Sequence, residues 1–116
     1  MATFTGKNAI TNLDYVLTDS NVNGTAVVDI FGGSSTVYSL FIEAPSGTSF
    51  LRIFDTAIVT VGTTEPNIII KVTEDVMWTI VDGLPFTNFS YACVQENGTA
   101  GSPNPAVTIK LHAVVR

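Results

Sequence analysis

The chain has 116 residues, a net charge of -5 and a composition that is 46% hydrophobic but only 13% charged. This length suits one domain, and high hydrophobicity with so few charges excludes an intrinsically disordered chain. The Lys and Arg residues are scattered, which argues against nucleic-acid and membrane-surface partners, and no apolar run is long enough to span a membrane.

The residue types predict β-structure. β-branched and aromatic residues dominate the apolar segments, and turn signals such as Asn23-Gly24, Gly32-Gly33 and Asp82-Gly83 separate these segments at short intervals. This pattern is typical of short strands in a sandwich or barrel. The sequence therefore predicts an all-β fold, an antiparallel β-sandwich of about eight strands with a jelly-roll-like topology.

The first predicted element is segment 1–12, which precedes a single β-sandwich domain at 13–116. The segment is polar and has no clear period, so it is either a frayed terminus or an N-terminal arm that becomes ordered against a partner. Its start lacks the charged and apolar regions of a secretory signal, and we expect a reducing cytoplasm or a particle assembled there.

The predicted strands follow, with period-2 alternation as the main evidence. The last one is the clearest, because Ile109 and Leu111 fall on one face and Lys110 and His112 on the other. Between the fifth and sixth strands, Glu74-Asp75 predicts a tight hairpin turn. In chain order the predicted strands are Leu13–Leu17, Ala26–Phe31, Thr36–Ala44, Ser49–Asp55, Asn67–Thr73, Val76–Asp82, Phe89–Glu96 and Ala106–Val115.

Alternation within these strands also predicts which side chains form the core. In the third predicted strand, Thr36–Ala44, Tyr38 shares one face with Leu40 and Ile42. In the sixth predicted strand, Met77 and Val81 lie on the face opposite the core. The predicted core residues are Leu40, Ile42, Leu51, Ile53, Trp78, Ile80, Val107, Ile109 and Leu111.

Two predicted strands are apolar on both faces. In Ser49–Asp55, Phe50 and Phe54 lie opposite the predicted core residues, and the run Ile68–Ile70 cannot all face one core. Either loops or the N-terminal segment cover the second face, or that face is a subunit interface. We favour the interface, because monomers rarely expose large contiguous apolar patches. Phe50, Phe54 and Ile69 are the predicted subunit contacts.

Candidate catalytic side chains are few. His112 is the only histidine and lies on an outward face, and Cys93 lies mid-strand as a small buried residue, so a Cys–His pair stays possible but unsupported. The acids fall mostly at turns, and the chain lacks both the EF-hand calcium loop and the phosphate-binding loop. One cysteine excludes an internal disulfide and a cysteine-based zinc site. The sequence predicts no enzyme activity, no cofactor and no metal site.

Three motifs follow one another in the middle of the chain: FLRIFD at Phe50–Asp55, VGTTEP at Val61–Pro66 and DGLPFTN at Asp82–Asn88. This arrangement resembles small β-sandwich virion proteins of tailed bacteriophages, most of all head decoration (cement) proteins. The motif residues have roles in the fold, such as a positive φ at Gly62 and a strand start at Pro66. No catalytic residue is implied by the resemblance.

The resemblance implies a structural virion protein that binds and stabilises the outer surface of a phage head. It also implies a homo-oligomer, most commonly a trimer, with the major capsid protein as partner, located on the capsid surface after assembly in the host cytoplasm. In this interpretation Ala2, Thr3 and Phe4 of the arm contact the capsid or a neighbouring subunit.

Two other functions stay open. One is a carbohydrate- or receptor-binding β-sandwich module of a phage fibre or neck, which a ring of exposed aromatic side chains would favour. The other is a small enzyme, which a cleft joining His112, Cys93 and a carboxylate would favour.

Overall fold

The computed structural model describes residues 2–7, 15–44, 47–95, 105 and 108–116. All regular secondary structure in these ranges is β-strand, so the predicted all-β class is confirmed. None of the described residues belongs to a helix that could cross a membrane. The strands are β1 (Ala2–Lys7), β2 (Tyr15–Val22), β3 (Ser35–Glu43), β4 (Ser49–Asp55), β5 (Ile68–Val72), β6 (Val76–Phe86), β7 (Phe89–Val94) and β8 (Ile109–Val115).

Hydrogen bonding joins these strands into two antiparallel sheets. One sheet has five strands in the order β1-β2-β8-β3-β6, and the other has three in the order β5-β4-β7. The chain changes sheet between β3 and β4, and again at every step from β5 to β8. Because the two sheets enclose a common core, the architecture is that of a β-sandwich.

The core is one cluster of buried apolar side chains from both sheets. Trp78 and Ile80 are partly buried and pack against the cluster, and Val107 lies outside the described residues. Each fully buried aliphatic side chain contributes about 1.5–3 kcal/mol. The predicted core residues that are fully buried are Leu40, Ile42, Leu51, Ile53, Ile109 and Leu111.

Strand β3 does not keep a strict alternation. Val37 and Ser39 pair with consecutive residues of β8, so Tyr38 is an extra residue in a β-bulge. The bulge changes the phase of the strand: Val37 and Leu40 are both buried, while Tyr38 is half-buried. Placing Tyr38 on the same face as Leu40 was therefore wrong, because a period of two does not allow for an inserted residue.

The predicted strand Ala26–Phe31 is not a regular strand. Val27 forms an isolated bridge with Tyr91, so the segment runs beside the edge of β7. The pairing does not extend through Asp29, whose φ of 46° is left-handed. The Asp29 carboxylate accepts a hydrogen bond of 3.0 Å from the Gly33 amide. This bond stabilises a turn where the prediction had the end of a strand.

Two predicted turns also differ from the structure. Glu74-Asp75 connects β5 to β6, which lie in different sheets, so the connection is a crossover and not a hairpin. Asp82-Gly83 lies inside β6, where Gly83 has a φ of 78° and β6 shifts register against β3. Residue type alone does not distinguish a glycine in a turn from a glycine in a strand irregularity.

Part of the predicted arm belongs to the five-stranded sheet. Ala2–Lys7 forms β1, which pairs antiparallel with β2 at the edge of this sheet. Residues 1 and 8–12 lie outside the described residues.

Candidate functional site

The predicted subunit contacts lie on the outward face of the three-stranded sheet and differ in exposure. Ile69 is 37% exposed and Phe50 is half-buried, but Phe54 is 0% exposed. Ala92 and Val94 of β7, on the same face, are also fully buried. Other parts of the same chain cover this part of the outward face, so the prediction that Phe54 contacts another subunit was wrong.

The predicted arm contacts Ala2, Thr3 and Phe4 are consecutive residues of β1. Their backbone pairs with Leu17–Asp19 of β2. Because β1 is the first strand in the sheet order, its other edge forms the border of the sheet. A contact between these residues and a capsid or a neighbouring subunit stays a prediction.

His112 and Cys93 lie apart in the fold. His112 is on the outward face of β8, where its Nε2 lies 2.6 Å from Glu43 Oε2, whereas Cys93 of β7 belongs to the core cluster. Burial raises the pKa of the Cys93 thiol from 9.0 to about 11, so little of it is the reactive thiolate at neutral pH. Among the residues that the structure describes, no group of three His, Cys, Asp or Glu side chains could hold a metal ion.

The outward face of the five-stranded sheet carries a strip of apolar side chains. Phe41 of β3 pairs with Met77 of β6 on one side and with His112 of β8 on the other. Val114 is the next outward residue of β8, and Val81 lies further along β6. Met77 is 64% exposed and Val81 is 88% exposed. We call Phe41, Met77, Val81 and Val114 the outer apolar face.

Polar groups border the outer apolar face. Glu43 and Lys110 pair directly across β3 and β8, and the Glu43 carboxylate also reaches His112. On the side towards β2, His112 pairs with Thr18. On the same face, Ser39 and Thr79 pair across β3 and β6 between Met77 and Val81, and the half-buried Val16 of β2 pairs with Val114. Apolar and polar side chains are therefore interspersed on this face.

A groove lies at one end of the sandwich, where β4 and β6 end and β3 begins. It holds about 470 Å³ and adjoins a smaller cavity of about 200 Å³ that shares Asp55, Pro85 and Phe86 with it. We call the larger space the end groove. Its lining residues are Ser34, Ser35, Thr36, Asp55, Pro85, Phe86, Thr87 and Arg116.

Asp55 is held in a fixed position in this groove. Its Oδ1 accepts hydrogen bonds from the backbone amides of Thr87 at 2.7 Å and Asn88 at 2.9 Å. Its own backbone amide donates to Asn67 Oδ1 at 2.8 Å. These bonds join the end of β4 to the turn between β6 and β7. An ionised carboxylate has about four acceptor positions, so Asp55 keeps the capacity to accept further hydrogen bonds.

Two further polar groups line the end groove. The Oγ of Ser35 is buried, and it has no hydrogen-bond partner within the described part of the chain. Arg116 exchanges two backbone hydrogen bonds of 2.8 Å with Thr36, and its guanidinium carbon lies 5.7 Å from the centre of the Tyr38 ring. The groove therefore combines the Asp55 carboxylate with serine and threonine residues.

Comparison with known proteins identified no relative of this chain. No known protein family, curated protein or solved structure matches this chain.

The sequence predicted neither of these two surfaces as a functional site. Alternation in the sixth strand placed Met77 and Val81 on the outward face, where the structure has them. The end groove was missed, because its residues come from separate parts of the chain and meet only in the fold. One local signal was present: FLRIFD ends in Asp55, and DGLPFTN ends in the Thr87-Asn88 turn that this carboxylate binds.

Proposed function

We propose that this chain is a structural virion protein, a capsid decoration (cement) protein that binds and stabilises the outer surface of a phage head. The observation that carries the proposal is the outer apolar face. Phe41 and Met77 pair directly across β3 and β6, and Val81 lies in the stretch 80–83 of β6 that has no partner on β3. Because these side chains stand on strands, presenting them does not require the ordering of a loop.

The exposure of these side chains supports an interaction surface. Met77 and Val81 are more than half exposed and lie on the same strand as the half-buried Val76 and Trp78, which face the core. Clustered exposed apolar side chains bordered by polar groups are typical of protein interaction sites. Methionine and aromatic residues are also enriched in interfaces, whereas Lys and Glu are depleted there.

The finer parts of the proposal rest on the sequence pattern and on the resemblance of its motifs. They include an eight-strand jelly-roll topology, a homotrimer, the major capsid protein as partner and a non-catalytic role. In the proposed trimer, Phe50 and Ile69 are the subunit contacts, and Ala2, Thr3 and Phe4 contact the capsid or a neighbour. Repeated binding across a symmetric lattice strengthens attachment, because each bound subunit raises the effective concentration of the next.

Co-sedimentation with phage heads tests the proposal. The heads are assembled from the major capsid protein of the phage whose genome carries this chain, and neighbouring portal, protease and major capsid genes would identify that phage. We expect the purified protein to sediment with these heads, and Met77→Glu and Val81→Glu each to weaken binding at least about tenfold. Thr73→Glu, on an exposed residue after β5, is the matched control and is expected to bind normally.

Analytical ultracentrifugation provides the second readout. We expect a trimer at micromolar concentration, and circular dichroism checks that each variant keeps its β-structure. A wild-type protein that stays monomeric and does not sediment with the heads would overturn the proposal. Equal loss of binding in Thr73→Glu and Met77→Glu would show that the outer apolar face is not the binding surface.

A further inference from the structure

We infer that the end groove is a binding site for a neutral saccharide. The groove lies at the end of the sandwich and involves none of the residues of the outer apolar face. The inference therefore does not rest on the proposed function, and one protein can use both surfaces. Its volume of about 470 Å³ falls in the range of small-molecule sites.

The central group of the site is the Asp55 carboxylate. Two backbone amides fix its Oδ1, so the carboxylate is oriented before any ligand binds. Hydroxyl groups donate to carboxylates in charge-assisted hydrogen bonds, which are stronger than bonds between neutral groups. A fixed carboxylate with remaining acceptor capacity thus suits a ligand that offers several hydroxyl donors.

The other groups in the groove narrow the ligand class. The Asp55 carboxylate repels an anion, so a neutral ligand is favoured over an anionic one. The exposed Ser34 and Thr87 add hydroxyls that donate and accept hydrogen bonds. Sugar hydroxyls match these groups, since each both donates and accepts.

The backbone at the groove argues against a peptide in strand form. Thr36 and Arg116 already exchange both of their backbone hydrogen bonds, so β3 and β8 offer no open edge there. Peptides that add to a sheet need such an edge. The exposed Pro85, next to the buried Phe86, supplies an apolar surface for the C–H face of a sugar ring.

NMR titration of the full chain tests this inference. The probes are glucose, galactose, mannose and N-acetylglucosamine, with glucuronic acid as the charged comparison. We expect at least one neutral sugar to give saturable amide shifts at 34–36, 55 and 85–87, with a Kd of about 1 mM. Saturation-transfer difference spectra should identify the same sugar.

Three variants locate the site. Asp55→Asn keeps an oxygen for the Thr87 and Asn88 amides but replaces the second acceptor by a donor, and should weaken binding at least about tenfold. Thr87→Trp fills the groove from its exposed rim and should abolish binding without changing Asp55. Thr73→Trp, at the far end of β5, should leave binding unchanged. Thr87→Trp keeps the test valid if Asp55→Asn does not fold.

Several outcomes would overturn the inference. They are the absence of saturable shifts at about 30 mM of every neutral sugar, shifts centred outside the groove, tighter binding of glucuronic acid than of any neutral sugar, and unchanged affinity in Thr87→Trp. Because these readouts use no phage heads, they are independent of the co-sedimentation result.

Discussion

The Tyr91 hydroxyl donates a hydrogen bond of 2.8 Å to Asp19 Oδ2 in the interior, and this bond joins β7 of one sheet to β2 of the other. Both residues are almost completely buried. Asp19 Oδ1 also accepts from the Asn21 amide at 3.0 Å. Burial, followed by the Asp19 hydrogen bond, raises the pKa of Tyr91 far above its ordinary range, so the phenol keeps the proton that it donates.

Removing the Tyr91 hydroxyl should destabilise the fold. Tyr91→Phe takes one donor from a buried carboxylate, and we expect a loss of about 1–3 kcal/mol in the free energy of unfolding, measured by urea denaturation. The control is Tyr38→Phe on half-buried Tyr38, which keeps the ring near Arg116. Equal stability of Tyr91→Phe and wild type would mean that the bond between the sheets contributes nothing net.

Phe54 should behave as a core residue. Since its side chain is fully buried, Phe54→Ala should lower the free energy of unfolding by about 3–5 kcal/mol. Ile69→Ala on the neighbouring edge strand is the comparison and should cost much less, because Ile69 is already 37% exposed. Thermal unfolding followed by circular dichroism measures both. If Phe54→Ala kept the wild-type midpoint of thermal unfolding, burial of the Phe54 side chain would not contribute to stability.

Alkaline pH should weaken the fold through Cys93. The folded thiol has a pKa of about 11, raised by burial from 9.0, so the folded state holds the proton more tightly than the unfolded state. This contribution to stability is complete below pH 9 and is lost as pH rises through 11. It amounts to about 2–3 kcal/mol.

Urea denaturation of wild type and Cys93→Ala between pH 8 and pH 11.5 isolates this effect, because other groups, including Tyr91, titrate in both proteins. We expect the difference in stability between the two proteins to shrink as pH rises. A pH-independent difference would contradict the prediction. Thiol labelling gives a second check: at pH 8, modification should be slow until urea unfolds the chain.

Gly83 should tolerate no side chain. A Cβ there would clash with Thr36 Cγ2 and lie 2.9 Å from Tyr38 Cε1, and the φ of 78° is left-handed. Gly32 is a matched control, because its φ of 69° is similar but nothing lies within 4 Å of its Cβ position. We expect Gly32→Ala to cost about 1–2 kcal/mol for its backbone alone. Gly83→Ala should cost more, measured as the shift in urea midpoint, and equal costs would exclude a steric effect.

The sequence predicted those features that depend on local alternation. The buried Ile109 and Leu111 and the exposed Met77 follow from a period of two, which applies wherever a strand is regular. The alternation could not reveal the bulge at Tyr38, where an inserted residue changes the phase. It also could not assign strands to sheets, so the crossover at Glu74-Asp75 was read as a hairpin.

The end groove and the burial of Phe54 could not be predicted for a different reason. Both depend on segments far apart in the chain coming together. The Asp55 carboxylate, for instance, meets amides that are 32 and 33 residues away. A strand that is apolar on both faces shows that something covers its second face. Only the fold shows that, at Phe54, this cover belongs to the same chain.

The position of β8 has a consequence for synthesis on the ribosome. β8 is the last of the described strands, yet it lies in the middle of the five-stranded sheet, between β2 and β3. Until it emerges, β2 and β3 each have an unpaired edge, and the nascent chain presents two strands ready to pair wrongly with other chains. We therefore expect the large sheet to close only after β8 has left the exit tunnel, and the chain to be most prone to aggregation just before that moment.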